Sequence, residues 1–427
     1  MTKVLVLSYF FPPCTQTASN RVFAIVSHLK ELGYHPIVVT RNWDLPITIP
    51  KDSLRSTGKD IKYIENELYE AYYLPYKSSL RDLFYIYSDK IFLLRYLSKA
   101  ITFLIYFLEL FSTKFIPYSN LYKFSKQLIE NDIDIKFVFI SSNPFMLFKF
   151  GYKLNKSTSI PWVADYRDAW TTNEMSKKER LIYRIIYFFQ KKFEKKWVST
   201  ATFFTTVSKK YVQNINQLVP IPGIYIYNGI NNYNDIINKE FQEKKVLKII
   251  YSGSLYSNQD VESLLLNVYK LNERLRVKIE ISFVGVGYNK LQQSRIINSS
   301  YFTDYVKVYP WISKSELKSK IESSDILLLL SYKGFDGIPT SKLFDYLSYK
   351  KPIFLYPTDN GILKTILYEV GSHHILNSER DLIEILTLYS EDFNSQFKKF
   401  SINKDSLDKY LTINQVKRLV NKINTTL

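Results

Sequence analysis

Val246-Leu247-Lys248-Ile249-Ile250-Tyr251-Ser252-Gly253 decides the fold, because it restarts a pattern that the chain has already run once. An apolar, β-branched run ending on a small-residue turn reads as a buried parallel strand. A helix over 260–271 follows, then strands at 279–284 and 306–309 and a helix over 314–323. The run ILLLL at 326–330 reads as the most buried strand, with a helix over 342–347 and a strand over 352–356 after it. The earlier pass begins at Lys3–Ser8 (KVLVLS) and turns at Phe10-Phe11-Pro12-Pro13. A helix from about Ser19 to Gly33 then sets Val22, Ile25, Val26 and Leu29 on one face, and Pro36–Thr40 is the next strand. Strand, helix, strand is a right-handed βαβ unit. Strands return at 137–141, 161–165, 202–207 and 225–227. Residues 45–75 read as irregular, 78–131 as mostly helical and aromatic-rich, 177–198 as a basic helix and 231–243 as a polar linker after the Asn228-Gly229 turn.

The expected architecture is therefore α/β, with two tandem Rossmann-like doubly wound parallel-sheet domains at 1–230 and 231–400. A helical insertion occupies about 76–126, and 401–427 is a C-terminal crossing helix that packs back on the first domain. Two such domains are expected to make an interdomain cleft at the carboxyl ends of their strands, where ligands of open α/β sheets bind.

Composition narrows the chemistry. A chain of 427 residues with 46% hydrophobic and 23% charged residues is an ordinary globular balance, which excludes a disordered or fibrous chain. The single Cys14 excludes a disulfide framework and multi-Cys metal sites. The four His residues (His28, His35, His373, His374) form no ligand spacing, so no metal is expected. The net charge of +18 favours anionic partners, part of it reflecting a Lys-rich composition. Met1–Leu7 has no signal-peptide pattern, and no run of about 18 apolar residues spans a bilayer.

Four constellations carry possible chemistry. Gly253-Ser254 lies in a strand-to-helix turn whose backbone amides, with a helix start near Asn258, are suited to a phosphate. Gly285-Val286-Gly287 is a lone G-x-G without the third Gly of a dinucleotide fingerprint, and by itself it reads as a tight turn before a ligand contact. In Asp336-Gly337-Ile338-Pro339-Thr340-Ser341-Lys342-Leu343-Phe344-Asp345, Lys342 and Asp345 share a helical face. They read either as a surface ion pair or as a cation for a diphosphate and a carboxylate for a ribose. Asp165-Tyr166-Arg167-Asp168 sets two carboxylates and a guanidinium at a strand's carboxyl end, where charge is costly unless paired or used.

In order and spacing, YFFPP…SNRV, ELGYHPIVVT, PWVADYRDAW, FFTTVS…YNGI, YSGSLYSNQDVESLL, FVGVG, SSDILLLLS and GIPTSKLFDYLSYKKPI resemble glycosyltransferase family 4, of the GT-B fold, in its bacterial surface-polysaccharide subgroup. The resemblance covers nearly the whole chain. It implies transfer of a sugar from a nucleotide-sugar to an acceptor, with retention, without a covalent enzyme intermediate, a metal or another cofactor. By it Asp345 matches the ribose-binding acid, usually Glu, and Lys342 a Lys near the diphosphate. Gly253 and Ser254 match the phosphate turn, Gly285 and Gly287 a turn near the nucleotide, and Asp336 an earlier acid. Arg21 matches a cleft-facing position of the first helix, with Asp165 beside it as an acceptor or cleft residue. Arg167 and Asp168 stand, with Lys342, as catalytic candidates where many members carry a His, Asp168 contacting sugar hydroxyls. The chain departs from the family in lacking Gly-Gly in its first loop and in lacking the Arg and Lys that many members place after the second phosphate turn, with Ser254 and Gln259 nearby instead.

The insertion and the basic helix interleave Lys and Arg with Phe, Tyr, Leu and Ile, a pattern suited either to core helices with outward Lys or to a peripheral place on an anionic membrane. The expectation is a cytoplasmic protein on the inner face of the cytoplasmic membrane, with a polyprenyl-diphosphate-linked acceptor. A non-hydrolysing sugar-nucleotide epimerase and a catalytically degraded scaffold are the alternatives; nucleic-acid binding has no readout motif here.

Overall fold

The computed structural model describes residues 1–44, 50–88, 92–173, 181–233, 245–336, 338 and 340–427. They form two compact units, Met1–Tyr227 with Gln415–Leu427, and Asn228–Asn414.

The first unit holds β1 (Thr2–Ser8), β2 (Tyr34–Arg41), β3 (Lys62–Glu65), β4 (Glu70–Leu74), β5 (Ile135–Ser142), β6 (Trp162–Tyr166), β7 (Phe203–Thr206) and β8 (Gly223–Tyr225). Their order is β3-β4-β2-β1-β5-β6-β7-β8, parallel throughout except that β3 runs antiparallel to β4. Val4, Leu5, Val6 and Leu7 lose all contact with solvent, as a strand covered on both faces requires. The helix Thr17–Leu29 buries Val22, Ile25, Val26 and Leu29 against it. Val416, Leu419, Val420 and Ile423, from the C-terminal helix Thr412–Thr426, complete this core. Residues 401–414 stay with the second unit.

The second unit holds β9 (Val246–Ser252), β10 (Lys278–Val284), β11 (Val306–Tyr309), β12 (Ile326–Leu330), β13 (Ile353–Tyr356) and β14 (His374–Ile375), in the order β11-β10-β9-β12-β13-β14, all parallel. Strand order reverses between β9 and β12 here, and between β1 and β5 in the first unit. At each reversal the crossovers leave to opposite sides and open a crevice beyond the strand ends.

The structure corrects the sequence reading in places. Within the segment read as irregular, β3 and β4 pair as an antiparallel ribbon; every residue of β3 is exposed, so no apolar alternation marked it. The insertion resolves into helices Leu80–Tyr87, Phe92–Phe111 and Ser119–Asn131. The basic helix runs over Leu181–Val198. Its expected start at 177–180, residues 234–243 of the expected linker, Asp89 and Lys90 of the insertion, and Gly337 and Pro339 of the Lys342 stretch lie outside the described residues.

Candidate functional site

The turn after β9 meets the turn after β10. Gly253 adopts φ +93° and Gly285 φ +83°, backbone that side-chain-bearing residues rarely take. The Gly253 N–H donates to the Val284 carbonyl at 2.7 Å, and the Gly285 N–H to Tyr309 at 3.1 Å. These bonds bring the two turns so close that a Cβ on Gly285 would lie 3.6 Å from the Gly253 Cα. The Ser254 and Leu255 N–H groups donate no hydrogen bond to any described residue.

Lys342 enters this turn from the helix Ser341–Leu347, whose N-cap is Thr340. Its ammonium lies 3.6 Å from the centroid of the Tyr251 ring and 3.5 Å from the Ser254 carbonyl. Its Cε is where a Gly253 Cβ would need to be, 3.0 Å away. Asp345, one turn along, makes no ion pair with Lys342, and its carboxylate has no hydrogen-bond partner among the described residues. The surface ion pair is therefore not formed. Burial lowers the Lys342 amine to about 7. Asp345 keeps an open edge to water, but surrounding protein pushes its carboxyl up to about 6, with Lys314 acting in the opposite sense. A cation and an acid both held toward their neutral forms, and not satisfied by each other, mark a place built to receive a ligand's polar groups.

The supports of this site escaped the sequence reading. Tyr251, next to last in β9, lies under the Lys342 ammonium, and the Tyr346 hydroxyl accepts from the Ser252 N–H at 2.8 Å. An aromatic flanking a glycine turn was the available signal. Gln259 does not face the site: its amide donates to the Leu330 carbonyl at 2.7 Å and accepts from the Tyr256 N–H at 3.0 Å, stitching the loop shut. The helix after the turn begins at Val261, and the Asp260 carboxylate already accepts from the Ser263 N–H. The expected phosphate seat at that helix start is thus occupied by the chain's own anion, leaving the Ser254 and Leu255 amides. Gly287 sits in the short turn Val286–Tyr288 beside Gln293, and Asp336 is exposed in the loop after β12.

In the first unit the expected site residues separate. Arg21 is 4% exposed and Asp165 fully buried. The Arg21 Nη2 lies 2.8 Å from the Asp165 Oδ1, and its Nη1 donates to the Ile226 carbonyl at 2.9 Å. Asp165 also accepts from Ser141 at 2.7 Å and Thr205 at 2.6 Å. Every oxygen of this carboxylate is claimed, and neither residue is offered to a ligand; together they bolt the first helix to β5, β6 and β7. The correction has a physical cause: a charge buried in a sheet core is retained only with a full set of partners. Arg167 and Asp168 lie beyond β6 and pair with each other, Nη2 to Oδ2 at 2.5 Å, with Asp168 exposed. His373 and His374 are held neutral by burial, at about 3 and about 4, and among the described residues no group of three metal-ligating side chains converges.

Residues 232–396 match the family described as glycosyl transferases group 1. A search of the curated proteins finds no match. Among solved structures, a glycosyltransferase from Rickettsia africae superposes with a TM-score of 0.61 at 14% identity, over 99% of this chain and 97% of that one. HepE of Anabaena, in complex with UDP and glucose, gives 0.59 at 10% identity over 100% of both chains. Sucrose-phosphate synthase of Thermosynechococcus elongatus gives 0.59 at 12% identity over 98% and 95%. Residues 232–396, which carry Gly253, Gly285, Lys342 and Asp345, therefore form a glycosyl transferases group 1 domain within a chain of the GT-B fold, and the protein is a glycosyltransferase.

Proposed function

We propose that the protein moves a sugar from a nucleotide-sugar, held by the second unit, to a saccharide acceptor carried on a polyprenyl diphosphate, as a family 4 enzyme of bacterial surface-polysaccharide synthesis. The observation that carries this reading is Lys342: an ammonium with no carboxylate partner among the described residues, beside two amides that none of those residues claims and one helical turn from Asp345. Breaking a glycosyl–diphosphate bond builds positive charge on the sugar and negative charge on the leaving group. The Lys342 ammonium and the Ser254 and Leu255 N–H groups neutralise the leaving diphosphate in place, without reorganising water. Asp345 accepts hydrogen bonds from the ribose hydroxyls, and Asp336 stands as a second acid at the donor. Arg167 and Asp168 contact hydroxyls of the reacting sugars. In this reading configuration is retained and no side chain becomes covalently attached. HepE, of the same fold, binds UDP and glucose, which makes UDP-sugars the first donors to test.

The acceptor's lipid fits the outside of the insertion. Phe107 and Phe111 pack edge-on against Phe189 and Phe193, joining the helix Phe92–Phe111 to Leu181–Val198. Leu80, Tyr96, Leu104 and Phe188 remain exposed, with Lys191, Lys192, Lys195 and Lys196 on the second helix open to solvent. Among the described residues no helix is long and apolar enough to cross a membrane. An apolar surface rimmed with lysine suits the inner face of the cytoplasmic membrane and an anionic leaflet.

A panel of nucleotide-sugars added to the full chain in thermal unfolding tests the donor reading. One base class is expected to raise the midpoint, since a ligand of the folded state alone stabilises it. No stabilisation by any donor, with the fold intact, points to a scaffold; a free epimer formed without acceptor points to an epimerase.

A further inference from the structure

Arg167 and Asp168 stand on a short arch between two fixed points. Tyr166, the last residue of β6, is fully buried, and Ala169, Trp170 and Thr171 return to the core at once. Only Arg167, half-buried, and Asp168, exposed, lie between them. The near end is held by the sheet, where Tyr166 pairs with Thr206 of β7. The far end is held by another element, the basic helix Leu181–Val198.

Tyr187, Gln190, Glu194 and Trp197 recur along that helix at steps of three and four, so they share one face. Three of them grip the segment after β6. The Thr171 N–H donates to the Glu194 Oε2 at 3.0 Å, and the Tyr187 hydroxyl donates to the Thr171 carbonyl at 2.7 Å. The Trp170 ring stacks on Trp197 with centroids 5.9 Å apart, and on Phe145 at 5.1 Å with the planes 5° apart. Gln190, the fourth, donates to the Tyr106 hydroxyl and ties the same face to the insertion. Both backbone groups of Thr171 are thus taken by side chains two turns apart on one helix.

Glu194 is the costly member of this face. It is fully buried, while Lys191, Lys192, Lys195 and Lys196 around it in sequence are exposed, and it makes no ion pair with a described residue. Burial pushes its carboxyl up to about 7, against the pull of Thr171 and Tyr166. An apolar side chain would fill this place without the desolvation of an acid. What the acid supplies, and an apolar chain does not, is an acceptor for the Thr171 amide. That amide is three residues from Asp168, so pinning it limits where the Asp168 carboxylate stands.

We infer that Glu194 is a positioning residue of the transfer reaction, setting the place of Arg167 and Asp168 through the Thr171 amide. The inference rests on the reading that those two residues contact the reacting sugars, and it adds what fixes them there. Its energetic basis is geometric: a displacement of about 1 Å at a reacting group can cost about 10²-fold in rate.

The test uses the full chain. Glu194→Met keeps the length and removes the acceptor, Glu194→Gln keeps an acceptor oxygen, and Tyr187→Phe removes the second bond alone. Amide hydrogen exchange over residues 166–173 reads the anchor, and turnover on a panel of UDP-sugars with N-acetylglucosamine linked to a polyprenyl diphosphate reads its consequence. Glu194→Met is expected to speed exchange there at least tenfold, with exchange in β1 and β5 unaltered. Its kcat is expected to fall at least tenfold, with donor Kd within about twofold. Tyr187→Phe is expected to move both readouts in the same direction by less, and Glu194→Gln to restore both to within about threefold of the wild type. A positioning residue acts only through the group it positions, so Glu194→Met is expected to cost nothing more in an Asp168→Ala background. Unaltered exchange in Glu194→Met, faster exchange with full turnover, or a full additional loss in the double variant overturns the inference. Wild-type turnover in both Arg167→Ala and Asp168→Ala removes instead the reading on which it rests. No turnover by the wild type with any donor removes the transferase reading, and exchange then decides by itself whether Glu194 holds the segment.

Discussion

Arg21 with Asp165 in the first unit, and Lys342 with Asp345 in the second, are both a basic and an acidic residue at the carboxyl side of a parallel sheet. Their surroundings differ in one respect. Asp165 is fully enclosed and accepts from Arg21, Ser141 and Thr205. Asp345 has no hydrogen-bond partner among the described residues, and Lys342 rests on a ring and a distant carbonyl. A charge whose hydrogen bonds are complete holds the fold together; a charge whose hydrogen bonds are left open is available to a ligand. A basic and an acidic residue therefore serve opposite ends in the two units, and neighbouring donors and acceptors decide which.

The largest expected effect breaks the first pair. Asp165→Ala leaves the Arg21 guanidinium buried with one carboxylate fewer, which costs about 3–5 kcal/mol. Urea unfolding should show that loss. A loss near 1 kcal/mol, the size of an exposed pair, would mean that the pair is not sealed and that Asp165 is free to serve as a site residue.

Lys342→Met is the matching change in the second unit, and it should separate activity from stability. Turnover should fall by about 10²–10³, the effect of removing one preorganised charge donor. The unfolding midpoint should hold or rise, since a desolvated amine is replaced by an apolar chain of similar length. Steady-state transfer assays and thermal melts on the same preparation check both. Turnover at the wild-type rate would take Lys342 out of the donor site.

This contrast also explains what could be read from the residues alone. VLKIIYS and ILLLL announce buried strands because apolar residues dominate the first and fill the second, and β9 and β12 match their expected spans at Val246–Ser252 and Ile326–Leu330. Lys342 and Asp345 stand three apart on one helix, so their shared face is a local property. Arg21 and Asp165 are 144 residues apart, and no local pattern states that they meet. Thr171 and Glu194 are 23 residues apart, one in a loop and one in a helix. The helix start after the Gly253 turn read as a phosphate seat, and only the helix geometry shows the Asp260 carboxylate capping the Ser263 amide there. Periodicity reports which face is buried; it is silent on which buried polar atom finds which partner.

The open charges of the second unit should respond to pH. With its amine near 7, Lys342 loses most of its proton between pH 6 and 8, while a bound diphosphate holds that proton on. Donor binding is then linked to proton uptake, and the donor Kd should weaken about tenfold across that interval, at 1.36 kcal/mol per unit of pKa. Below about 6 the Asp345 carboxyl takes up a proton and loses acceptor capacity toward the ribose, so affinity should fall on that side too. Titration calorimetry from pH 5 to 9 checks the shape. Lys342→Met should abolish the alkaline limb and keep the acidic one; an alkaline limb that survives the substitution would assign it to another group.

Three glycines of the second unit give the smallest and most discriminating series. Gly253→Ala places a Cβ at φ +93° and 3.0 Å from the Lys342 Cε. The backbone costs about 1–2 kcal/mol, and the flexible Lys342 chain yields by moving its ammonium away from the Ser254 carbonyl. Gly285→Ala has nearly the same backbone conflict, φ +83°, but its Cβ meets nothing closer than 3.6 Å. Gly287→Ala has no positive φ, and its nearest neighbour is the end of Gln293 at 3.4 Å. Stability should therefore drop similarly in the first two and hardly in the third. Donor affinity should drop most in Gly253→Ala, because there alone the new methyl displaces the cation. The difference between the first two variants isolates the position of the Lys342 ammonium from the strain of the turn. Equal donor affinities in those two would mean that the diphosphate is held by the backbone amides and not by that ammonium.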